Sequence, residues 1–202
     1  MRGSVHHICC IIMLVCSTCA CVRNRTIHDT KRVIVIQPFA DFATSLSQRV
    51  LRQVKVLHPN TILKKPMAFP PNCFNQARQR YRADSLIRYL SRLATDDTVI
   101  IAVTDKDIST SKGVHADWGI MGLAFCPGKA CIVSTFRLKN ANLYDQFYKV
   151  AIHELGHTQG LPHCKVKNCF MRDAEGGNPL NEETGFCASC KSFLIQKKWQ
   201  FN

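Results

Sequence analysis

The sequence predicts an α/β fold built around one mixed β-sheet. Short apolar runs rich in β-branched residues, which are typical of buried strands, alternate with longer segments whose apolar residues recur at helical spacing. The composition, with 46% hydrophobic and 20% charged residues, is that of a globular protein. A chain of 202 residues is also long enough to bury a hydrophobic core of its own.

The first 22 residues differ from the rest and have the layout of a secretory signal. They hold one arginine near the start, an apolar stretch over residues 8–15, and small residues before a cleavage point. That stretch is shorter than the roughly 20 residues of a transmembrane helix. STCAC also resembles a bacterial lipoprotein processing site that would attach the chain to a membrane through a lipidated Cys21, although Thr18 departs from the usual aliphatic residue. An uncleaved anchor is the alternative.

From this layout we expect an exported protein, either periplasmic or anchored to the membrane as a lipoprotein. The folded domain is then residues 23–202, and the elements predicted below all lie within it.

Two strands and two helices are predicted in the first half of this domain. KRVIVIQPF is expected to form a buried strand, and DTVIIAVTD gives the strongest strand signal in the sequence. The first helix spans residues 41 to about 56, with Asp41 as its candidate N-cap. The second helix spans residues 78–94. Its predicted inward-facing residues are Leu86, Tyr89, Leu90 and Leu93.

The second half is predicted to contain a hairpin, a third helix and a loop-rich end. WGIMGLAF and ACIVSTF are apolar runs joined through CPGK, whose proline and glycine favour a tight turn. A helix follows from about Asn142 to Gln159. Residues 173–185 are rich in Gly, Pro, Asn and Glu, so we expect metal to stabilise this part more than apolar burial does.

The formal net charge of +13 is high, but its distribution argues against a nucleic-acid-binding surface. Basic residues are spread from Arg23 to Lys198, and no arginine-rich run is present. We therefore expect a diffusely charged surface and no nucleic-acid partner.

The segment HELGHTQGLPHC concentrates the chemistry of the chain. His153 and His157 are four residues apart, so both rings leave the same face of a helix. Gly160 can adopt the left-handed conformation that ends a helix, which allows His163 to return towards the same ion. Three imidazoles leave the fourth position of zinc open to water, as a catalytic site requires. Glu154 is the predicted base that accepts a proton from that water.

The cysteines are clustered, which favours a metal site over an evenly distributed set of disulfides. Cys164 and Cys169 have four residues between them, and Cys187 and Cys190 have two. Both spacings allow two sulfurs to meet one ion, and four thiolates complete a tetrahedral zinc site. Two disulfides are the alternative, because an exported protein meets an oxidising environment.

The pattern H-E-x-x-H-x-x-G-x-x-H is that of metzincin metallopeptidases. Its continuation here, HELGHTQGLPHCKVKNCFM and then FCASC, resembles the archaemetzincin family, to which RYRADSLIRYL, IIAVTDKDI and IVSTFRL are also similar. The resemblance covers most of residues 33–195. It implies a metzincin-like zinc peptidase with a mixed twisted sheet, an active-site helix and a zinc-stapled, loop-rich C-terminal part.

The resemblance also implies a role for each residue of the motif. His153, His157 and His163 would bind a catalytic Zn²⁺, with Glu154 as the general base. The implied ligands of a second, structural Zn²⁺ are Cys164, Cys169, Cys187 and Cys190. The implied substrate is a peptide or protein, and the resemblance suggests the aminopeptidase activity of some members of the family, which leaves endo- or exopeptidase action open.

Some assignments stay open at this point. Met171 is either the apolar floor beneath the histidines that metzincins share or an ordinary core residue, and residues 118–125 are either the edge strand beside the cleft or core. Cys126 and Cys131 look like an addition to the family pattern and suggest a local disulfide. The alternative function is a non-catalytic, zinc-stabilised binding module with a basic surface, but such a module has no use for Glu154 beside the metal.

Overall fold

The structure is a computed structural model that describes residues 32–201. The predicted leader, residues 1–22, and Cys21 lie outside the described residues. The strands are β1 (Val33–Pro38), β2 (Thr61–Leu63), β3 (Phe74–Asn75), β4 (Arg80–Arg82), β5 (Thr98–Thr104), β6 (Ile108–Lys112), β7 (His115–Ile120), β8 (Gly122–Ala124) and β9 (Ala130–Ser134). The helices are α1 (Thr44–Leu57), α2 (Ala83–Leu93), α3 (Leu143–Gln159) and α4 (Ala188–Gln196). Over the described range, no helix combines the length and apolarity needed to cross a bilayer.

A five-stranded mixed sheet in the order β2-β1-β5-β9-β8 forms the centre of the fold. The first four strands are parallel, and β8 pairs antiparallel with β9 at the edge. Helices α1 and α3 cover one face of the sheet and α2 covers the other. Because β1 and β5 are covered on both faces, they are continuous apolar runs. The predicted α/β fold with a mixed sheet is therefore confirmed.

A second sheet, in the order β3-β4-β6-β7, was not predicted. Strands β6 and β7 form an antiparallel hairpin with an irregularity near Thr110, and β4 runs parallel to β6. Ion pairs cross this sheet, since Arg80 and Arg82 of β4 both contact Asp117 of β7. Polar, half-buried strands of this kind give little apolar signal in the sequence.

The predicted helix starts are corrected by the structure. Asp41 is not the N-cap of α1, because the chain turns once more before the helix begins. In this turn Ala40 has a φ of +44°, and the Phe42 N–H donates to the Phe39 carbonyl. Helix α2 begins at Ala83 rather than at residue 78, because residues 78–79 lie in a turn and Arg80–Arg82 form β4. Its buried face includes Leu86 and Leu90 as predicted, together with Ile87, whereas Tyr89 is half-buried and Leu93 is 52% exposed.

The predicted hairpin is correct only for its inner part. Gly122 and Ala124 of β8 face Val133 and Cys131 of β9 across the CPGK turn. Residues 115–120 instead form β7 and pair with β6.

The third helix is confirmed, and its end follows the prediction. Gly160 has a φ of +105°, and its N–H donates to the His157 carbonyl while the Leu161 N–H donates to the Gly156 carbonyl. These bonds satisfy the last carbonyls of α3 and turn the chain back towards the helix.

The C-terminal part is more apolar in its packing than expected. It is loop-rich as predicted but ends in α4, which was not predicted. Leu180, Phe186, Leu194 and Trp199 are buried in the same core as α1 and α3. Burial of apolar surface therefore contributes to the stability of this part together with any metal.

Candidate active site

Three histidines meet at the C-terminal half of α3 and form what we term the histidine site: His153, His157 and His163. Their nitrogen atoms lie within 4.8 Å of one another, and the Nε2 atoms of His153 and His157 are 3.0 Å apart. The helical spacing places the first two on one face, and the turn at Gly160 returns the third. The structure thus brings together all three predicted ligands.

Each imidazole is held through its Nδ1 atom. The Nδ1 atom of His153 lies 2.6 Å from the Phe170 carbonyl oxygen, and that of His157 lies 2.7 Å from the Leu161 carbonyl oxygen. The Nδ1 atom of His163 lies 3.1 Å from Asp173 Oδ2. A carbonyl oxygen can only accept, so Nδ1 carries the proton in the first two rings and Nε2 keeps its lone pair. Contacts of this kind orient histidine ligands around a metal.

The protonation of these rings also suits a metal. Burial lowers the pKa of His153 to about 3, and burial also lowers the pKa of His157. Both imidazoles are therefore neutral at pH 7, which is the form that binds metal ions. The residues of the histidine site fit a zinc ion with three nitrogen ligands.

Glu154 lies beside the histidine site and is 7% exposed. Burial raises the pKa of its carboxyl group to about 8. Its side chain lies directly over Gly122 of the edge strand β8, where a Cβ atom would be only 2.6 Å from Oε1 and 2.7 Å from Cγ. The absence of a side chain at Gly122 is thus what admits the glutamate between α3 and the sheet.

Met171 packs beneath the histidine-bearing turn of α3. It is fully buried, and its Sδ atom would lie 2.5 Å from a Cβ atom at Gly156. The methionine therefore contacts the helix backbone directly between His153 and His157.

A cavity of about 700 Å³ opens over the histidine site. Its lining comes from strands β6, β7 and β8, from α3 including Val150, and from the segment after Met171. Residues 118–124 therefore do line the cleft, and β8 is the edge strand of the main sheet. The size is that of a small-ligand or short-peptide site.

Four cysteines form a second cluster, which we term the cysteine site: Cys164, Cys169, Cys187 and Cys190. Their sulfur atoms lie within 4.8 Å of one another, and the Sγ atoms of Cys164 and Cys187 are 3.7 Å apart. A tetrahedral zinc with bonds of 2.3 Å separates its sulfurs by about 3.8 Å. The Met171 and Cys187 N–H groups donate to Cys169 Sγ, as is common around metal thiolates.

The thiols of the cysteine site differ in acidity. The Cys190 N–H and the neighbouring thiols lower the pKa of Cys187 to about 7, whereas burial raises the pKa of Cys169 and Cys190. The cluster fits the four-thiolate type of zinc site.

The cysteines of residues 32–201 are free thiols, so this part of the chain contains neither the two disulfides considered for the cysteine site nor the local one. Cys131 is buried on β9, whereas the exposed Cys126 thiol donates to the Leu161 carbonyl at 3.4 Å. Cys126 and Cys131 therefore lie in different surroundings, and the local disulfide that was predicted between them is not formed.

Sequence reasoning missed three residues of this region. Asp173 contacts His163, Gly122 admits Glu154, and Glu183 lines the cavity. A glycine inside a strand pattern is a known sign of close approach, so Gly122 could have been found. The two acidic residues lie in an irregular loop, where no periodicity marks them.

The sequence matches the model of peptidase family M54 over residues 33–196. It is 34% identical over 124 residues to the archaemetzincin of Archaeoglobus fulgidus, a match that covers 59% of this chain and 72% of that protein. It is 26% identical over 170 residues to the archaemetzincin of Halobacterium salinarum, covering 77% of this chain and 95% of that protein.

Solved structures agree with this match. The fold is similar to the crystal structure of archaemetzincin from Methanopyrus kandleri, with a TM-score of 0.70 at 24% identity over 85% of this chain and 98% of that one. It is also similar to the crystal structure of archaemetzincin from Archaeoglobus fulgidus in complex with malonate, with a TM-score of 0.67 at 27% identity. This match covers 79% of this chain and 98% of that one. The chain therefore belongs to peptidase family M54, the family of the archaemetzincins, and is a metallopeptidase.

Proposed function

We propose that the chain hydrolyses peptide bonds as a zinc-dependent peptidase, with the histidine site as the catalytic metal centre and Glu154 as the general base. One observation carries this proposal. Three imidazoles, each held through Nδ1, converge on the wall of a cavity beside a buried carboxyl group.

Each residue then has a defined task. Zinc bound at this site would acidify a water molecule and polarise the substrate carbonyl. A zinc ion at the histidine site would favour the ionised form of Glu154 despite the burial of its carboxyl group. In that form Glu154, held in place by Gly122, accepts the proton of the attacking water and returns it to the leaving amine. Strand β8 is a sheet edge that lines the cavity, so an extended peptide can bind beside it through backbone hydrogen bonds.

The Glu154→Gln variant tests the mechanism. It preserves the shape of the side chain but removes the base, so kcat/KM for peptides is expected to fall by roughly 100- to 10,000-fold. Zinc content and melting temperature are expected to stay near those of the wild type. The control is Glu182→Gln, because Glu182 is an exposed carboxylate that contacts Arg172 and does not line the cavity.

If Glu154→Gln cleaves peptides as fast as the wild type, the assigned mechanism is wrong. A wild-type protein that binds peptides without cleaving any of them would instead favour the binding-module alternative.

We further propose that the cysteine site binds a second, structural zinc. Two observations support this assignment: the Sγ atoms of Cys164 and Cys187 are 3.7 Å apart, and two N–H groups donate hydrogen bonds to Cys169 Sγ. Purified protein is expected to carry two zinc ions, of which a chelator removes the one at the open histidine site first. One metal per chain together with two reducible bonds would contradict the second site.

Aminopeptidase-like action is also part of the proposal and is based on the family resemblance. Matched peptides with free and acetylated amino termini test it directly. Faster cleavage of the free form is expected, and equal rates would indicate endopeptidase action.

Export and lipid attachment are proposed from the composition of residues 1–22. Full-length chain and a Cys21→Ser variant are expected to differ in membrane association after cell fractionation. Recovery of both from the cytosol would contradict export.

A further inference from the structure

Glu183 is a buried carboxyl group in the wall of the active-site cavity. The residue is 2% exposed, and its Oε2 atom has no hydrogen-bond partner among the residues that the structure describes. Buried carboxylates are normally paired, because desolvation without a partner is costly. The side chain is not needed for the peptidase mechanism described above.

Lys149 and Arg172, the two cations whose charge acts on Glu183, already have partners. Lys149 donates to the Leu180 carbonyl at 2.8 Å and forms an ion pair with Asp145 at 2.7 Å. The residue next to Glu183, Glu182, contacts Arg172 at 2.6 Å. Burial raises the pKa of Glu183 to about 7, and the attraction of Lys149 and Arg172 offsets this only in part. The carboxylate therefore gains from a further positive charge.

Acidic and basic side chains both line the cavity. Its charged lining residues are Glu154, Asp173, Glu175, Glu183, Lys112, Arg137 and Arg172. Two of the three cations are paired with carboxylates outside the lining, since Arg137 contacts Asp107 and Arg172 contacts Glu182. Both guanidinium groups are therefore engaged with carboxylates other than Glu183.

We propose that Glu183 is a specificity-determining residue that accepts a cationic nitrogen of the peptide substrate. The inference rests on the proposed peptidase function and adds to it a substrate class, namely peptides with an ammonium or guanidinium group beside the scissile bond. Glu183, Glu154 and Val150 line one cavity, so one peptide can reach the base and the recognition carboxylate together. A charge-assisted hydrogen bond to Oε2 completes the pairing that the fold leaves open.

Two parts of a peptide can supply this nitrogen: the side chain of a lysine or arginine, or the free amino terminus. Short alanine peptides with a single lysine, moved along the positions around the scissile bond, identify the first source. The matched reference replaces lysine with norleucine, which keeps the length and removes the charge. Free and acetylated versions of each peptide identify the second source.

The experiment compares kcat/KM for these pairs in the wild type, in Glu183→Gln and in the control Asp41→Asn, which removes an exposed carboxylate outside the cavity lining. In the wild type, one lysine position or the free terminus is expected to be preferred by about 10- to 100-fold, which corresponds to one charge-assisted hydrogen bond. Glu183→Gln is expected to abolish this ratio, and Asp41→Asn to keep it. Because the ratio is internal to each protein, a general loss of stability does not change it.

The same ratio in the wild type and Glu183→Gln, or no ratio in the wild type, would overturn the proposal. The dissociation constants of the same peptide pairs, measured by titration calorimetry, provide a reading that does not depend on catalysis. If no peptide is cleaved, the proposed function fails, but loss of selective binding in Glu183→Gln would still support the recognition role.

Discussion

Replacing Gly122 with alanine tests whether the position of Glu154 controls activity. An alanine Cβ would lie 2.6 Å from Oε1, 2.7 Å from Cγ and 2.9 Å from Cδ of the glutamate. Ordinary contact needs about 3.5 Å, so the side chain must retreat by roughly 0.6–0.9 Å. Rotation of the carboxylate alone does not relieve the clash, because Cγ is involved as well. A displacement near 1 Å costs on the order of 100-fold in rate, so we expect kcat/KM to fall by about 10- to 100-fold.

The assay is peptide hydrolysis at saturating zinc, together with zinc content and melting temperature. The metal should stay bound, because Gly122→Ala touches the base and not the imidazoles. Gly185→Ala is the control, since a Cβ atom at that position meets nothing within 4 Å. Two results would refute the reasoning that Gly122 positions Glu154. One is a kcat/KM of Gly122→Ala equal to that of the wild type, and the other is a loss of activity fully explained by the fraction of unfolded protein.

Three further predictions concern metal binding, packing and pH. Cys187→Ser is expected to lower the zinc content from two ions per chain to one or fewer. The control variant Cys126→Ser, which lies outside the cysteine site, is expected to keep both ions. The measurement is the number of zinc ions per purified chain. Gly156→Ala forces its Cβ against Met171 Sδ and should lower the unfolding free energy by about 1–3 kcal/mol, measured by urea denaturation. The pKa of Glu183 is about 7 in the folded protein and 4.5 in the unfolded chain. Ionisation of Glu183 therefore lowers the free energy of unfolding as the pH rises from about 4.5 to about 7. The unfolding free energy of Glu183→Gln minus that of the wild type should therefore be larger at pH 8 than at pH 5. Parallel curves of unfolding free energy against pH for the two proteins would contradict this.

The central sheet and α3 could be predicted because their signals are local and strong. Strands β1 and β5 are apolar runs in which almost every side chain is buried, so the run itself indicates a strand covered on both faces. The histidine motif fixes both the helix and its end, since Gly160 is the residue that adopts the left-handed conformation.

The second sheet could not be predicted, because its strands depend on tertiary contacts. β4 has the sequence RYR, which is compatible with the helix that was expected to start at residue 78. In the fold, Arg80 and Arg82 both contact Asp117, a residue more than thirty positions away. Backbone pairing of β4 with β6 and these ion pairs form only in the folded chain, and no local pattern carries this information.

The ligands of both candidate sites were named from spacing, whereas the residues that orient them were not. Phe170 and Leu161 contribute through backbone carbonyls, which carry no signal of residue type. Asp173 and Glu183 lie in a loop whose path depends on the packing of buried side chains such as Leu180. Residues that supply chemistry are thus easier to identify in a sequence than residues that set its geometry.

The two candidate metal sites are joined at two points of the chain, which makes them one structural unit. His163 of the histidine site is followed directly by Cys164 of the cysteine site, whose N–H donates to the Met171 carbonyl. Cys169 is followed by Phe170, whose carbonyl holds the imidazole of His153. Cys164 is bonded directly to His163, and Cys169 is linked to His153 through Phe170, so a shift of either cysteine reaches an imidazole of the histidine site. For this reason, loss of the cysteine site is expected to weaken zinc binding at the histidine site as well, although no cysteine lies among the proposed catalytic ligands.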